Sequence, residues 1–382
     1  MKKQIFGLVG LATLAATGSA LAAEGLPAPG KLTVGSNVKV SVLVDTYYQA
    51  NLIHPPVSPA GSTTADPVND PQVAGRSYDR SDRQFSLSTA TVGLSHDLNP
   101  VGFDLRMGFG TQLEVLNSSN STYRHVRNAT VGYKSGSFTF TAGRFDADFG
   151  FEKIDSVDNW NYSRSLSYTY LDPKFFTGAK MAYDLGGGLS FAAGITTGID
   201  LYSDNNRSMT YVGQLNYKGG DLSFAVNYVV GQENSFSAAG TQAAWRHTLG
   251  LNAKYSLSSS LDLGADLTWV HGKEDTVATG VTKAANRLGV DLYGSVSLLD
   301  KHWDTLRVEF LQDRDGAVYL QNRAVRTLGF TLTHRWLLTR NFSLWAEARW
   351  DMSSQPTFLN VNGTSNQKTD QTSGLLAATF NI

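Results

Sequence analysis

The stretches "WRHTLGLNAKYSL" (245–257) and "LDLGADLTW" (261–269) alternate between apolar and polar residues along most of their length. In the first stretch, Leu251 lies on the apolar face and its neighbour Asn252 on the polar face. A β-strand turns successive side chains to opposite sides, so each stretch predicts a strand with one face in an apolar medium and one in water. Only the three serines 258–260 separate the two stretches, which predicts a hairpin with a tight turn.

The same period of two recurs along the chain, and most of these segments are near the ~9–11 residues that a tilted strand needs to cross a bilayer. Sixteen segments begin near Val38, Gln84, Val101, Arg124, Phe138, Phe175, Leu189, Thr210, Leu222, Trp245, Leu261, Arg287, Thr305, Thr327, Phe342 and Thr372. Two segments break the pattern. Phe85 and Leu87 are out of phase with residues 92–94, which predicts a bulge near Thr89, and the pattern assigns Arg127 to neither face.

The connections between segments alternate in length. The short ones are 99–100, 135–137, 186–188, 219–220, 258–260 and 339–341, and the long ones are about 50–82, 115–122, 147–174, 200–208, 233–244, 273–284, 314–323 and 353–369. Short turns on one side and long loops on the other, with an even strand number, are typical of outer-membrane barrels. Lipid offers no hydrogen-bond partners, so a spanning sheet must close on itself, and sixteen strands leave room for a water-filled interior.

The sequence therefore predicts an all-β protein: a transmembrane antiparallel β-barrel of about 16 strands after a cleaved signal peptide. Residues 1–22 have a basic start, a short apolar run and an Ala20-Leu21-Ala22 cleavage site, which is typical of a signal peptide. Residues 23–36 are predicted to form a short periplasmic segment and 37–382 the barrel. The expected location is the bacterial outer membrane, with both termini in the periplasm.

Composition and motifs exclude several functional classes. Without Lys2 and Lys3 the chain carries 30 basic and 33 acidic residues, a net charge of −3, which gives no electrostatic footprint for nucleic acid. No zinc-protease, serine-hydrolase or nucleotide-binding motif is present, so we expect neither an enzyme nor a cofactor.

One long connection does not alternate and mixes acids with aromatic residues, "FDADFGFEKIDSVDNWNYSRS" (145–165). It belongs to the third long connection, 147–174. Its candidate functional residues are Asp146, Asp148, Glu152, Asp155, Asp158, Trp160 and Arg164. A loop packed over the barrel mouth with solvated charges is the alternative interpretation.

The stretches "LNPVGFDLRMGFG" (98–110) and "AGRFDADFGFEKIDSVDNWNYSRSLSYTYLDPKFFTG" (142–178) resemble the bacterial outer-membrane β-barrel porins of type 2, the OmpL-like family. The end, "GLLAATFNI" (374–382), is similar to the strand signal read by the barrel-assembly machinery, although Ile382 stands where such barrels usually carry Phe or Trp. The resemblance implies a water-filled channel for passive diffusion of small hydrophilic solutes or ions. It also implies, by position, that 147–174 is a constriction loop folded into the barrel.

Strand parity turns charged residues of both signs into the lumen in equal numbers. The wall candidates are Arg106, Lys180, Arg246, Lys254, Arg287, Arg307, Glu309 and Arg349. Because acids outnumber bases in the stretch from Arg144 to Arg164, we expect a weak preference for cations. The alternative is that opposite charges simply pair along the wall.

Two other functions stay open at the level of sequence. One is an adhesin or scaffold barrel whose Pro-rich loop 50–82 faces outside, and the other is a barrel that sheathes a partner protein. The expected partners are outer-membrane lipid, the barrel-assembly machinery and small solutes, with a homo-oligomer as a further option.

Overall fold

The wall of the protein is a single closed sheet, described here from a computed structural model. The structure describes residues 32–34, 38–52, 73, 75–117, 122–235, 242–275, 282–316, 318, 323–358 and 368–382. The strands are β1 (Leu32–Val34), β2 (Val38–Asn51), β3 (Gln84–His96), β4 (Val101–Phe109), β5 (Val126–Ser135), β6 (Phe138–Asp146), β7 (Phe175–Gly186), β8 (Leu189–Thr196), β9 (Thr210–Gly219), β10 (Leu222–Ser235), β11 (Gln242–Ser258), β12 (Leu261–Asp275), β13 (Thr282–Leu299), β14 (His302–Asp313), β15 (Val325–Thr339), β16 (Phe342–Ser353) and β17 (Asp370–Asn381).

Sixteen strands, β2 to β17, pair antiparallel with their neighbours in chain order. The barrel closes where β17 pairs with β2, from Ser373 opposite Asn51 to Asn381 opposite Leu43. All sixteen predicted strands are present, which confirms the predicted fold class. The additional strand β1 pairs with the start of β2, with Leu32 opposite Val40.

The two faces of the wall differ as the alternation predicted. Leu251 is 39% exposed on the outside of the barrel, whereas the next residue, Asn252, is buried inside it. Because such apolar residues cover the outer face, that face suits the hydrocarbon of a membrane, and the polar residues line the interior. No helix among the described residues is both long and apolar enough to cross a membrane.

Two bulges explain the two breaks in the sequence pattern. Asp45 lies opposite Thr89 and Thr46 opposite Leu87, so Ser88 is the extra residue, and the bulge predicted near Thr89 is confirmed. In β5 the extra residue is Arg127, since Arg106 pairs with Asn128 and Met107 with Val126. An extra residue rotates the strand locally. This explains why parity could not assign Arg127.

The few helices among the described residues lie in the long connections. Helix α1 (Thr111–Asn117) lies between β4 and β5, and helix α2 (Leu166–Tyr170) lies between β6 and β7. The connection between β6 and β7 comprises 147–174, the bounds predicted from the sequence. The predicted signal peptide, 1–22, lies outside the described residues. Of the predicted periplasmic segment, 23–36, the structure describes only 32–34.

Candidate functional site

The connection 147–174, called the inner segment below, contacts inward-facing residues of strands that are far apart around the barrel. Asn227 of β10 donates a hydrogen bond to the Phe149 carbonyl, at 2.5 Å. Asn161 donates to Thr333 of β15, at 2.7 Å. Tyr162 donates to Asp45 of β2, at 2.6 Å. The inner segment therefore lies within the barrel, mainly against the wall that runs from β10 through β17 to β2, with further contacts to β5 and β9.

The inner segment is compact because its own polar side chains bond its backbone. The Asn159 amide donates to the Lys153 carbonyl at 2.9 Å and accepts from the Lys153 N–H at 2.7 Å. Ser165 caps helix α2 by accepting from the N–H of Tyr168 at 3.0 Å. Such side-chain bonds replace the strand ladder that this stretch lacks. They hold a non-alternating sequence in one shape.

Aromatic side chains of the inner segment fit against glycines of the wall. A Cβ atom on Gly250 would lie 2.5 Å from the Phe149 ring, and one on Gly264 would lie 2.6 Å from Phe151. Phe151 also stacks on Tyr293 of β13, with ring centroids 4.4 Å apart. A larger residue at either glycine would displace the ring. Inward-facing glycines in neighbouring strands are a signal that sequence reasoning could have used and did not.

Buried ion pairs join the inner segment to strands β14 and β16. Arg307 lies 2.7 Å from Glu152 and 2.9 Å from Glu309. Arg349 lies 3.0 Å from Glu309 and 2.9 Å from Asp351. All five side chains are buried. Burial raises the pKa of the Glu152 carboxyl, and the charge of Arg307 opposes that rise.

The network of buried ion pairs extends into the first long connection. Arg76 lies 3.0 Å from Asp351 and donates to the Ser373 hydroxyl at 2.8 Å. The Tyr78 hydroxyl bonds that of Tyr168, at 2.9 Å. The first and third long connections therefore pack together inside the barrel.

Three charged residues outside the sequence candidates are among those that hold the inner segment. Asp45 accepts from the hydroxyls of Tyr162 and Ser156, at 2.6 and 2.5 Å. Glu347 accepts from the N–H groups of Tyr162 and Ser163, at 3.0 and 3.2 Å. Arg127 pairs with Asp146 and lies 3.8 Å from Asp155. Strand parity places the acids Asp45 and Glu347 on the inward face, and the bulged residue Arg127 breaks the alternation. The sequence therefore marked each of the three residues.

Most of the inner segment is buried, and the side chains that keep part of their surface exposed include three acids, Asp148, Asp155 and Asp158. Burial, followed by repulsion from Asp155, raises the pKa of Asp158 to about 6. Burial also raises the pKa of Asp148, against the opposing charge of Lys153. Arg106 of β4 and Lys180 of β7 are likewise partly exposed on the inner face of the opposite wall.

The remaining sequence candidates occupy three kinds of position. Asp146 is the last residue of β6 and so belongs to the wall, whereas the sequence assigned it to the loop candidates. Trp160 and Arg164 are buried, with Arg164 donating to the Lys153 carbonyl at 3.0 Å.

On the wall, Lys254 lies 3.3 Å from Asp262 and 5.5 Å from the Trp160 ring centroid. Arg246 donates to the Leu171 carbonyl at 3.5 Å, and Arg287 is buried on β13.

A closed barrel of 16 strands, with an apolar exterior and a polar interior that holds one of its own loops, defines a porin-type barrel of the bacterial outer membrane. Residues 37–382 match the family described as putative beta-barrel porin-2, OmpL-like, and the chain belongs to that family. No curated protein sequence matches the chain significantly.

Solved structures of outer-membrane proteins share the fold at low sequence identity. DcaP, an outer membrane channel of Acinetobacter baumannii, is 12% identical with a TM-score of 0.60, over 93% of this chain and 100% of that chain. An anion-selective porin from Comamonas acidovorans is 14% identical with a TM-score of 0.58, over 90% and 99%. The trimer form of OmpT from Vibrio cholerae is 13% identical with a TM-score of 0.56, over 90% and 99%.

Proposed function

We propose that the inner segment is the constriction of a channel through which small hydrophilic solutes and ions diffuse passively. The observation that carries this proposal is the set of contacts from Phe149, Asn161 and Tyr162 to strands β10, β15 and β2. A segment held mainly against that part of the wall leaves the rest of the lumen, toward β3 to β9, as the proposed route for water and solutes. The space that the segment fills also disfavours a sheath around a partner protein.

At the height of the inner segment, where the proposed route is narrowest, more acids than bases are accessible. Asp104, Asp146, Asp148, Asp155 and Asp158 keep part of their surface exposed, as do the bases Arg106 and Lys180. The compensating bases Arg127, Lys153 and Arg335 are buried behind this surface. A water-filled passage with excess accessible carboxylates concentrates cations. Because the buried bases offset much of the charge, the proposed cation preference is weak.

We also propose how the barrel is oriented in the membrane, how it is assembled and what its outer face contacts. An even number of wall strands leaves both ends of the barrel on the side of the short turns, so we propose that both termini are periplasmic. The final strand would carry the signal for the barrel-assembly machinery, and the outer face would contact lipid or other copies in a homo-oligomer. The proposed activity is diffusion, without chemistry or a cofactor.

A cysteine-labelling experiment tests the constriction, and the natural chain contains no cysteine. The variant Asp158→Cys would be recorded in a planar bilayer before and after a cationic and an anionic methanethiosulfonate reagent. Both reagents should reduce single-channel conductance stepwise, and the anionic one should preserve more of the cation current. Asp300→Cys, which removes an exposed acid in the turn between β13 and β14, is the matched control. Complete labelling of the Asp158→Cys variant that leaves conductance unchanged would contradict the proposal.

A further inference from the structure

A row of polar side chains crosses the outer face of the wall from β10 to β15, close to the long connections. This rim row, as it is called below, consists of Tyr228, His247, His271, Asn286, Arg314 and Arg326. Strand alternation gives its direction: Thr248 and Val270, the neighbours of His247 and His271, are fully buried on the inner face, so both imidazoles point outward. The lipid-facing band of a membrane barrel is apolar. A continuous polar row on this face therefore calls for a polar partner.

Strand pairing places the members of the rim row side by side. His247 lies opposite His271, and His271 lies opposite Asn286. The backbone N–H of Arg314 donates to the Asn286 carbonyl at 3.1 Å. Arg326 lies on the adjoining strand β15, offset from Arg314 by two residues. Because neighbouring strands are about 4.8 Å apart, the row extends over roughly 19 Å from β11 to β15 as one surface.

Hydrogen bonds within the rim row orient its two imidazoles. The Tyr228 hydroxyl bonds Nδ1 of His247 at 2.7 Å. Nδ1 of His271 donates to the Asn286 side-chain oxygen at 2.9 Å, since that oxygen can only accept. In each ring, Nε2 is the nitrogen that these bonds leave to a partner outside the wall.

The two arginines supply the fixed charge of the rim row. Both are exposed, and within the part of the chain that the structure describes neither Arg314 nor Arg326 forms an ion pair. Asp315, the residue after Arg314, accepts from the backbone N–H of Asn286 at 2.9 Å. Guanidinium groups bind phosphate through paired, charge-assisted hydrogen bonds. The charge of the row is therefore complementary to a phosphate.

Two tryptophans indicate the depth of the rim row in the membrane. Trp245 precedes His247 by two residues on the side of the long connections and is 53% exposed. Trp269 precedes His271 by two residues on the opposite side, and its ring stacks on that imidazole with centroids 5.8 Å apart. Tryptophans of membrane proteins concentrate at the level of the lipid headgroups. A lipid beside the row therefore presents its headgroup to it.

We propose that the rim row binds the phosphate of an anionic lipid headgroup, in the leaflet on the side of the long connections. Arg314 and Arg326 hold the phosphate oxygens, and the imidazoles of His247 and His271 contact the headgroup beside them. The inference goes beyond the proposed channel and does not depend on it, because it concerns the outside of the wall.

Native mass spectrometry of the full barrel in detergent tests the site, with dioleoyl phosphatidic acid and dioleoyl phosphatidylcholine present at equal concentration. The natural barrel should retain phosphatidic acid in preference. Arg314→Gln/Arg326→Gln should reduce this preference roughly tenfold or more. Arg124→Gln/Arg340→Gln, which removes two exposed arginines outside the rim row, is the charge-matched control and should leave the preference unchanged. Heat-modifiable mobility checks that each variant is folded.

A second variant tests the imidazoles separately. His247→Phe/His271→Phe keeps a ring at both positions and should lower the preference by a smaller factor than the loss of the arginines. No preference in the natural barrel, an equal loss in both arginine variants, or a preference that survives Arg314→Gln/Arg326→Gln would overturn the headgroup site. An oligomer that only the rim-row variants dissociate, without any lipid preference, would overturn it in favour of contacts between copies.

The current of single channels separates this inference from the proposed function. The rim-row variants should conduct like the natural protein, because their changes lie outside the lumen. Loss of lipid preference with normal current therefore concerns the rim row alone, and absence of current from a folded barrel that retains phosphatidic acid would overturn the channel alone.

Discussion

At the scale of the residue, neighbours in one strand face two different solvents. Leu215 of β9 is 38% exposed on the outer face, and Asn216 faces the lumen. Leu251 and Asn252 of β11 differ in the same way, but the Asn252 amide donates to the Phe149 carbonyl at 3.1 Å. A larger side chain at Asn252 would displace the inner segment. Leu215 and Asn216 are therefore the cleaner pair for measuring the effect of the two solvents.

We expect Leu215→Arg to lower the free energy of unfolding by roughly 2–4 kcal/mol, since it places a charge near the middle of the hydrocarbon. Asn216→Arg should cost much less because its charge reaches water in the lumen. Denaturant unfolding of the barrel in lipid vesicles, followed by gel mobility, measures both. Equal losses for the two variants would mean that the two faces are assigned incorrectly.

At the scale of the element, buried charges hold the inner segment to the wall. Arg307 contacts Glu152, Glu309, the Ser163 carbonyl and Thr331. Removing one partner from a buried ion pair leaves an uncompensated charge, which typically costs about 3–5 kcal/mol. Loss of one charge of the Glu152–Arg307 pair should therefore weaken the docking of the inner segment more than replacement of both residues.

We expect Arg307→Met to loosen the inner segment and to give noisier channels that enter larger conductance levels. The double variant Glu152→Gln/Arg307→Met should restore much of the low current noise of the natural protein, because Glu309 keeps Arg349 as its partner at 3.0 Å. Single-channel noise and conductance measure the effect. A single variant that conducts like the natural protein, or a double variant that is noisier than the single one, would argue against this attachment.

At the scale of the whole molecule, the closed wall and the inner segment together set the charge of the passage. The accessible acid Asp158 has a pKa of about 6, raised first by burial and then by Asp155, while Arg106 and Arg335 oppose the rise. A carboxyl with a raised pKa is charged above that value and neutral below it. The passage should therefore lose negative charge as the pH falls through about 6.

We expect the weak cation preference at pH 7.5 to decline at pH 5, as measured by the reversal potential in a potassium chloride gradient. Asp158→Asn should show a smaller cation preference at pH 7.5 and a weaker dependence on pH. Asp300→Asn, which removes an exposed acid outside the lumen, should keep the natural pH dependence. A reversal potential that favours chloride at pH 7.5 would reject the proposed selectivity.

The wall could be predicted from the sequence almost completely, while the attachments of the inner segment could not. The alternation in β11 and β12 identified both strands and both faces, and the non-alternating 147–174 stood out for the same reason. Asp146, Glu152 and Arg164 were recognised as candidates, but their partners were not. Arg127 was visible only as a break in the pattern, because a bulge depends on the neighbouring strand as well as on its own.

The sequence alone predicts the number of strands, the lipid-facing and lumen-facing sides, and the position of the long connections. These follow from a local period of two and from the requirement that a sheet in lipid satisfy all its hydrogen bonds. That Glu152 meets Arg307, 155 positions away, and that Tyr162 meets Asp45, 117 positions away, follows from the tertiary structure alone. Closing the barrel brings such residues together, and contacts between distant segments leave no periodic signal in the chain.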